Sequence, residues 1–375
     1  MAYRYLYIDD TKDKIEQGTI NGLEDGGEIE VKFRFPNNWE TLVNELIGDL
    51  PQFNGIILDL RLNDNPYAEG KYAQYRGSSI AQELRTLAKE NTIKNDFPII
   101  LISANQNLEK SLDITSIDLF DMLISKNTVG NELSYQLFKD KLKWLADGYH
   151  YLNNSEKSIN SILRVPENLE LDLRFTDQFN KLLEKPIIHV VARFLIKEVI
   201  EKKSFLLNES YVLARLGIEK SSEDWRAFES SCLKVARYRG AFSNFFPRWW
   251  RSSIEKFWEN QISQEVNLRN ATAAERVQLI IEKTGFKNLK PIQRSENSKS
   301  DSFWVVCKAT NVPIDTIDGF TIAGQENNYP WQEREYISIK EALRPTKNFT
   351  VASSEKPRLQ KLKELFEKNE QRVRK

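Results

Sequence analysis

Apolar runs and amphipathic segments alternate along the first 150 or so residues. Tyr3 to Ile8 is apolar and aromatic and stops at Asp9-Asp10, which predicts a strand. Glu28 to Phe35 carries Ile29, Val31, Phe33 and Phe35 at every second position among charged neighbours, the pattern of an exposed or edge strand. Gly55 to Leu58 and Pro98 to Ile102 are unbroken apolar runs, as buried strands are, and end at Asp59 and Ser103. Asp121 to Lys126 predicts a fifth, shorter strand. Between these runs, Asn38 to Leu50, Ser79 to Lys89 and Glu132 to Asp147 place apolar residues at helical spacing. In the last of them Leu133, Leu137, Leu142 and Leu145 are expected to face the core. Strands and helices in this order predict an α/β fold: a doubly wound, five-stranded parallel sheet over residues 1–148.

Beyond Asn153 the pattern changes. Residues 155–265 are dominated by helical periodicity, clearest through Leu182, Ile187, Val190, Val191, Phe194 and Leu195, and predict a mainly helical output domain. Residues 270–350 combine a helix (Thr272 to Lys283) with extended runs such as Phe303 to Cys307, predicting a small α/β subdomain. Residues 355–375 read as a charged tail, with Leu359, Leu362, Leu365 and Phe366 for an apolar face that either docks on a partner or frays. No internal repeat of fixed period is visible.

Composition narrows the function classes. Lys+Arg and Asp+Glu are both 54, so no bulk charge draws the chain to nucleic acid or to an anionic membrane. No apolar run approaches the roughly 18 residues of a spanning helix. The N-terminus lacks the basic and apolar regions of a signal peptide. Cys232, Cys307, His150 and His189 are too scattered for a structural zinc site or a disulfide framework. A reduced, cytoplasmic protein is expected.

In open parallel sheets, functional groups gather at the carboxyl ends of the strands. Here those ends carry Asp9 and Asp10, Asp59, Ser103 and Lys126. Carboxylates brought together repel by about 4 kcal/mol per pair at 4 Å and an effective dielectric near 20. Such a cluster calls for a cation, and an oxygen-only set suits Mg²⁺. A lysine and a hydroxyl beside it are what an incoming phosphoryl group needs. Asp59 would be the nucleophile of an acyl phosphate.

The segments Tyr7-Ile8-Asp9-Asp10, Ile57-Leu58-Asp59-Leu60, Ile100-Leu101-Ile102-Ser103-Ala104 and Ile124-Ser125-Lys126 occur in order, each at a predicted strand end. With them, residues 1–148 resemble the receiver (CheY-like) domain of bacterial two-component response regulators. The resemblance implies a flavodoxin-like fold and phosphorylation of Asp59 by a histidine kinase or a phosphotransfer protein. It also implies phosphate contacts from Ser103 and Lys126, and Mg²⁺ held by Asp9, Asp10, Asp59 and the main-chain carbonyl of Arg61. On this reading the chain is a self-phosphorylating acceptor rather than an enzyme with a separate substrate. Three features depart from the family pattern: an insertion around Asn65 to Tyr72, Asn127 in place of proline after the lysine, and Leu123 where an aromatic switch residue is common.

The remaining candidates carry weaker signals. Arg237 to Arg251 interleaves arginines with Tyr238, Phe242, Phe245, Phe246, Trp249 and Trp250. Single-stranded nucleic acid, a protein contact surface and the plain core of the second domain are all compatible with it. Ser204 to Gly217 is a candidate for helix–turn–helix material, but no following helix is rich in base-reading Arg, Asn and Gln, and Ser221 to Asp224 is acidic. His189 reads as a core histidine, Cys307 as structural, and Asp315 to Gly319 as a turn. The favoured function is therefore a response regulator that passes its signal to a downstream protein through its C-terminal region. The alternatives are a phosphate sink or intermediate in a multi-component phosphorelay such as an antiphage defence system, a DNA-binding transcriptional regulator, and an enzymatic output in residues 160–350. The oligomeric state is open.

Overall fold

A computed structural model of the chain describes residues 2–104, 114–128, 132–295, 298–344 and 348–373. In chain order it begins with β1 (Tyr3–Ile8), α1 (Lys14–Glu24), β2 (Ile29–Arg34), α2 (Trp39–Asp49) and β3 (Gly55–Asp59). A hairpin follows, β4 (Pro66–Ala68) and β5 (Lys71–Tyr72), and then α3 (Gly77–Lys89), β6 (Ile99–Ser103), a one-turn α4 (Ile114–Ile117), β7 (Met122–Ser125) and α5 (Glu132–Asn154). Asp13 caps α1 by accepting from the Ile15 amide, and Asn38 caps α2 by accepting from that of Thr41. Each satisfies a first-turn amide that has no partner within its helix.

The main sheet has the order β2-β1-β3-β6-β7 with every pairing parallel. Among its five strands this is the 2-1-3-4-5 order of flavodoxin-like folds, whose binding crevice lies outside the strand carboxyl ends. Leu6, Ile8, Ile56, Leu58, Ile99 and Leu101 turn to one face and pack with Leu42 and Leu46 of α2 and Ile80 and Leu84 of α3. Tyr5 and Tyr7 turn to the other face, where the Tyr5 hydroxyl donates to the Leu142 carbonyl of α5 at 2.7 Å. Burying each such aliphatic side chain contributes about 1.5–3 kcal/mol, which pins the register and hence the strand ends. β2 lies at the sheet edge, as its alternation predicts.

Two helical expectations need correction. Leu133 and Leu137 are not in the core; they are 83% and 49% exposed. The buried stripe of α5 is Phe138, Leu142, Leu145, Tyr149 and Leu152, which also carries the helix to Asn154 rather than Asp147. Apolar residues on the wrong side of the turn gave a false phase, and Tyr149 continues the true one past Gly148.

The chain divides into two compact units. The first takes in Met1–Val165, Thr176–Ile196 and Arg239–Phe246; the second takes in Pro166–Phe175, Lys197–Tyr238 and Pro247–Lys375. Residues 155–265 are thus not one helical output domain. Helix α6 (Ile159–Leu163), most of α7 (Leu173–Glu184) and α8 (Ile188–Phe194) belong to the first unit. There the Trp144 indole donates to the Phe242 carbonyl at 2.7 Å, and Phe242 packs against Trp144 and Tyr149. Nor do residues 270–350 form a separate subdomain. One continuous core runs from Leu207 through Trp225, Phe228, Trp249 and Trp258 to Val305, Phe320, Ile337 and Leu359. Leu359 draws the start of the terminal helix, Lys356–Val373, into that core, so residues 355–375 are not simply a charged tail.

Candidate functional site

The carboxyl ends of β1 and β3 and the first turn of α1 bring three carboxylates onto the ammonium of Lys126, the residue that follows β7. Lys126 Nζ lies 2.8 Å from Asp9 Oδ2, 3.0 Å from Asp59 Oδ1 and 2.7 Å from Glu16 Oε1. All four side chains are under 10% exposed. Asp9 is held on both oxygens: Oδ2 also accepts from the Tyr7 hydroxyl at 2.9 Å, and Oδ1 accepts from the Thr11 amide and hydroxyl, each at 3.1 Å. Asp59 Oδ2 accepts from the Arg61 amide at 2.6 Å. Asp10 Oδ2 accepts from the Asn65 amide at 2.7 Å, so the inserted segment is tied to the acidic rim.

Burial and like charge set the protonation. Burial first, and the Asp9 charge second, push the Asp59 carboxyl up to about 6; the Lys126 ammonium and the Arg61 amide pull the other way. Burial also works against the charge of Lys126, but Asp59 and Asp9 more than offset it and its pKa is raised. Burial raises the carboxyl of Glu16, and raises the Tyr7 phenol, whose neighbour Asp9 adds to the effect.

The expected residues are placed as follows. Asp9, Asp59 and Lys126 converge. Asp10 is buried at the same rim, engaged by Asn65. Ser103 is buried and ends the strand beside β3, one position beyond the partner of Asp59. Arg61 contributes its amide to Asp59, and its side chain pairs with Asp64 at the surface. For Mg²⁺ the donors fit in kind, being oxygen only: three carboxylates and the main-chain carbonyl of Arg61. Their present aim is different: the oxygens of Asp9, Asp10 and Asp59 turn to Lys126, Tyr7, Thr11, Asn65 and Arg61. Among the described residues no group of three or more His, Cys, Asp and Glu side chains is arranged to hold a metal ion.

Sequence reasoning missed Glu16, Tyr7 and Asn65. For Glu16 a signal exists. It lies four residues before Ile20 and seven before Leu23, on the buried stripe of α1, where a charged residue demands a partner.

Backbone closeness fixes the acceptor too. A Cβ on Gly77 would run into the carbonyl oxygen of Asp59, and the Gly77 amide donates to the Leu60 carbonyl. Backbone cannot swing aside as a long side chain can. Gly77→Ala is expected to lower stability by about 1–3 kcal/mol, read as a shift of the urea midpoint.

The other candidates resolve into structural roles. Trp249 and Trp250 form β9, pair with β8 (Leu206–Leu207), and are 0% and 1% exposed, so they are core and not a contact surface. Residues Tyr211 to Leu216 of the next helix, α9 (Glu209–Leu216), are all buried, and most of them belong to the core of the second unit. His189 accepts its place from Asp96: its Nδ1 lies 2.6 Å from Asp96 Oδ2. Cys307 is fully buried and takes the Ser338 amide on its sulfur at 3.2 Å. Asp315 opens a tight turn, as expected, and binds Arg269 at 2.8 Å.

No family model matches the chain, and no curated protein matches it. Solved structures similar to it include the phosphorylated cyanobacterial phytochrome response regulator RcpA, at 17% identity over 39% of this chain and 94% of that one, with a TM-score of 0.26. A response regulator from Thermotoga maritima is similar at 12% identity over 39% of this chain and 98% of its own, TM-score 0.26. CheY4 from Vibrio cholerae is similar at 15% identity over 38% of this chain and 99% of its own, TM-score 0.26. The five-stranded sheet of the first unit has the flavodoxin-like order of the receiver fold. What the receiver unit does chemically rests on the cluster around Lys126. No helix among the described residues is long and apolar enough to cross a membrane.

Proposed function

We propose that the receiver unit accepts a phosphoryl group on Asp59, from a phosphohistidine of a kinase or phosphotransfer partner. The observation that carries this reading is the buried Asp9–Lys126–Asp59 arrangement at the carboxyl ends of adjacent parallel strands. A carboxylate oxygen of Asp59 attacks phosphorus, an O–P bond forms and the P–N bond breaks. The imidazole, protonated on its other nitrogen, leaves neutral. Lys126 supplies positive charge to the equatorial oxygens, and Ser103 is the hydroxyl of the neighbouring strand end that donates to one of them. Asp9, Asp10 and Asp59 are the residues that would hold Mg²⁺, which neutralises phosphoryl charge when bound. Tyr7 and Thr11 keep Asp9 aimed at Lys126. The added charge then shifts the surface around the site, as phosphorylation switches do.

The test is intact mass after incubation with acetyl phosphate, with and without Mg²⁺. Wild type is expected to gain one phosphate in Mg²⁺, and Asp59→Asn none. An adduct of equal yield on Asp59→Asn overturns the assignment of the acceptor.

A further inference from the structure

Glu16 plays no part in the chemistry above, yet its carboxylate makes the shortest contact to the Lys126 ammonium, at 2.7 Å. Its side chain is 4% exposed. Its second oxygen, Oε2, is buried and meets no hydrogen-bond partner among the described residues. An ammonium has three N–H donors and accepts nothing. In Lys126 two of them are spent, on Asp9 and Glu16, and Asp59 Oδ1 lies 3.0 Å from the same nitrogen as an ion pair. A phosphoryl group arriving on Asp59 needs one of them.

Which carboxylate gives way follows from the other contacts. Asp9 is fixed by Tyr7 and by both donors of Thr11. Asp59 is the group being modified. Glu16 alone is held to the cluster by one hydrogen bond, with its other oxygen unsatisfied. We infer that Glu16 is a positioning residue that holds Lys126 in the unphosphorylated receiver and competes with the phosphoryl group for it. The inference rests on Asp59 being the acceptor. The competition has two parts of the same sign. Glu16 occupies the donor that the phosphoryl oxygens require, and its negative charge repels theirs across a buried site. The sequence places this competitor on the buried face of α1, one turn from its N-cap.

Glu16→Gln keeps the shape and removes the charge. With acetyl phosphate and Mg²⁺, the donor concentration that half-phosphorylates the protein is expected to fall roughly tenfold in this variant. Glu16→Asp, which keeps the charge, stays nearer to wild type. A second readout needs no phosphate: the ¹⁵N signal of the Lys126 ammonium should move in Glu16→Gln. A half-point that is unchanged or raised in folded Glu16→Gln, with a normal wild-type adduct, overturns the role of Glu16 alone. So does an unmoved Lys126 signal. A wild type that takes no phosphate overturns the acceptor reading, and the competition with it.

Discussion

Replacing Arg85 with methionine is expected to destabilise the receiver unit by about 3–5 kcal/mol. Arg85 comes from the inward face of α3 and its side chain is 5% exposed. Its Nη1 donates to Asp96 Oδ1 at 2.8 Å and to the Phe97 carbonyl at 2.9 Å. Its Nη2 donates to Asp121 Oδ2 at 2.7 Å, and Nε to the Leu119 carbonyl at 3.2 Å. The guanidinium thus joins the helix to the residues that lead into β6 and β7. Methionine fills much of the same volume, so the cost is chiefly that Asp96 and Asp121 are left as buried carboxylates without a cation. The Tyr149 hydroxyl and the His189 amide still donate to them but do not replace the guanidinium's several donors.

The pH dependence of this network has a definite sign. Burial pushes the Asp96 carboxyl up, but Arg85 and then His189 outweigh it and hold Asp96 below its ordinary value. A depressed carboxyl contributes stability that is present above the ordinary carboxylate range and lost as pH falls through the lowered value. Urea midpoints of wild type and Arg85→Met should therefore differ most near neutral pH and converge in acid. A second change, Asp121→Asn on Arg85→Met, should recover part of the loss, because it removes one of the stranded charges. Equal midpoints near neutral pH would show that the network is not what holds these strands.

Asp59→Asn should act the other way. In metal-free buffer at pH 7.5 it is expected to raise unfolding free energy by about 2–3 kcal/mol. The folded carboxyl is raised from 3.8 to about 6, mainly by burial and then by Asp9. A raised folded value favours folding in acid, fully below the unfolded value, and that contribution is lost as pH rises through about 6. Asparagine cannot ionise, so the variant escapes the loss. Its advantage over wild type should be small at pH 4, grow as pH rises towards about 6, and level off above that. A variant less stable than wild type at pH 7.5 would mean that Lys126 loses more from the change than Asp59 gains. The variant that abolishes the acceptor should thus be the more stable protein, which separates loss of chemistry from loss of fold.

Much of the receiver unit was legible because its signals are local. Gly55 to Leu58 and Pro98 to Ile102 are apolar without a break, so each had to be buried on both faces. Asp9, Asp59 and Lys126 each stand next to such a run, and a parallel sheet with short connections places all those ends on one rim. Glu16 escaped because a lone glutamate in an amphipathic helix is ordinarily solvated; only the phase of Ile20 and Leu23 marks it as inward. The insertion was legible as a departure in length. That its Asn65 amide would engage Asp10 depends on how the loop folds back, which no residue type announces.

The C-terminal half was far less legible. Its tryptophans were visible as candidates for either a core or a contact surface, and composition does not separate the two. Trp249 and Trp250 are buried because a two-residue strand pairs with Leu206 and Leu207 more than forty positions away. Such a pairing leaves no periodic trace. The same holds for the extent of the units: residues 176–196 and 239–246 join the first because Asp96 engages His189 and Trp144 engages Phe242.

The five strands of the parallel sheet in the first 150 residues, and the identity of the groups at the strand ends, were determined by the sequence alone. Hydrophobic periodicity is a local property, and parallel connections leave few topologies. The tertiary structure decided which carboxylates share Lys126, that a glutamate on α1 is one of them, and that Trp249 and Trp250 of the aromatic stretch are buried in the second unit. Those outcomes depend on contacts between residues distant in the chain, where the identity of each partner is fixed only once the backbone has brought them together.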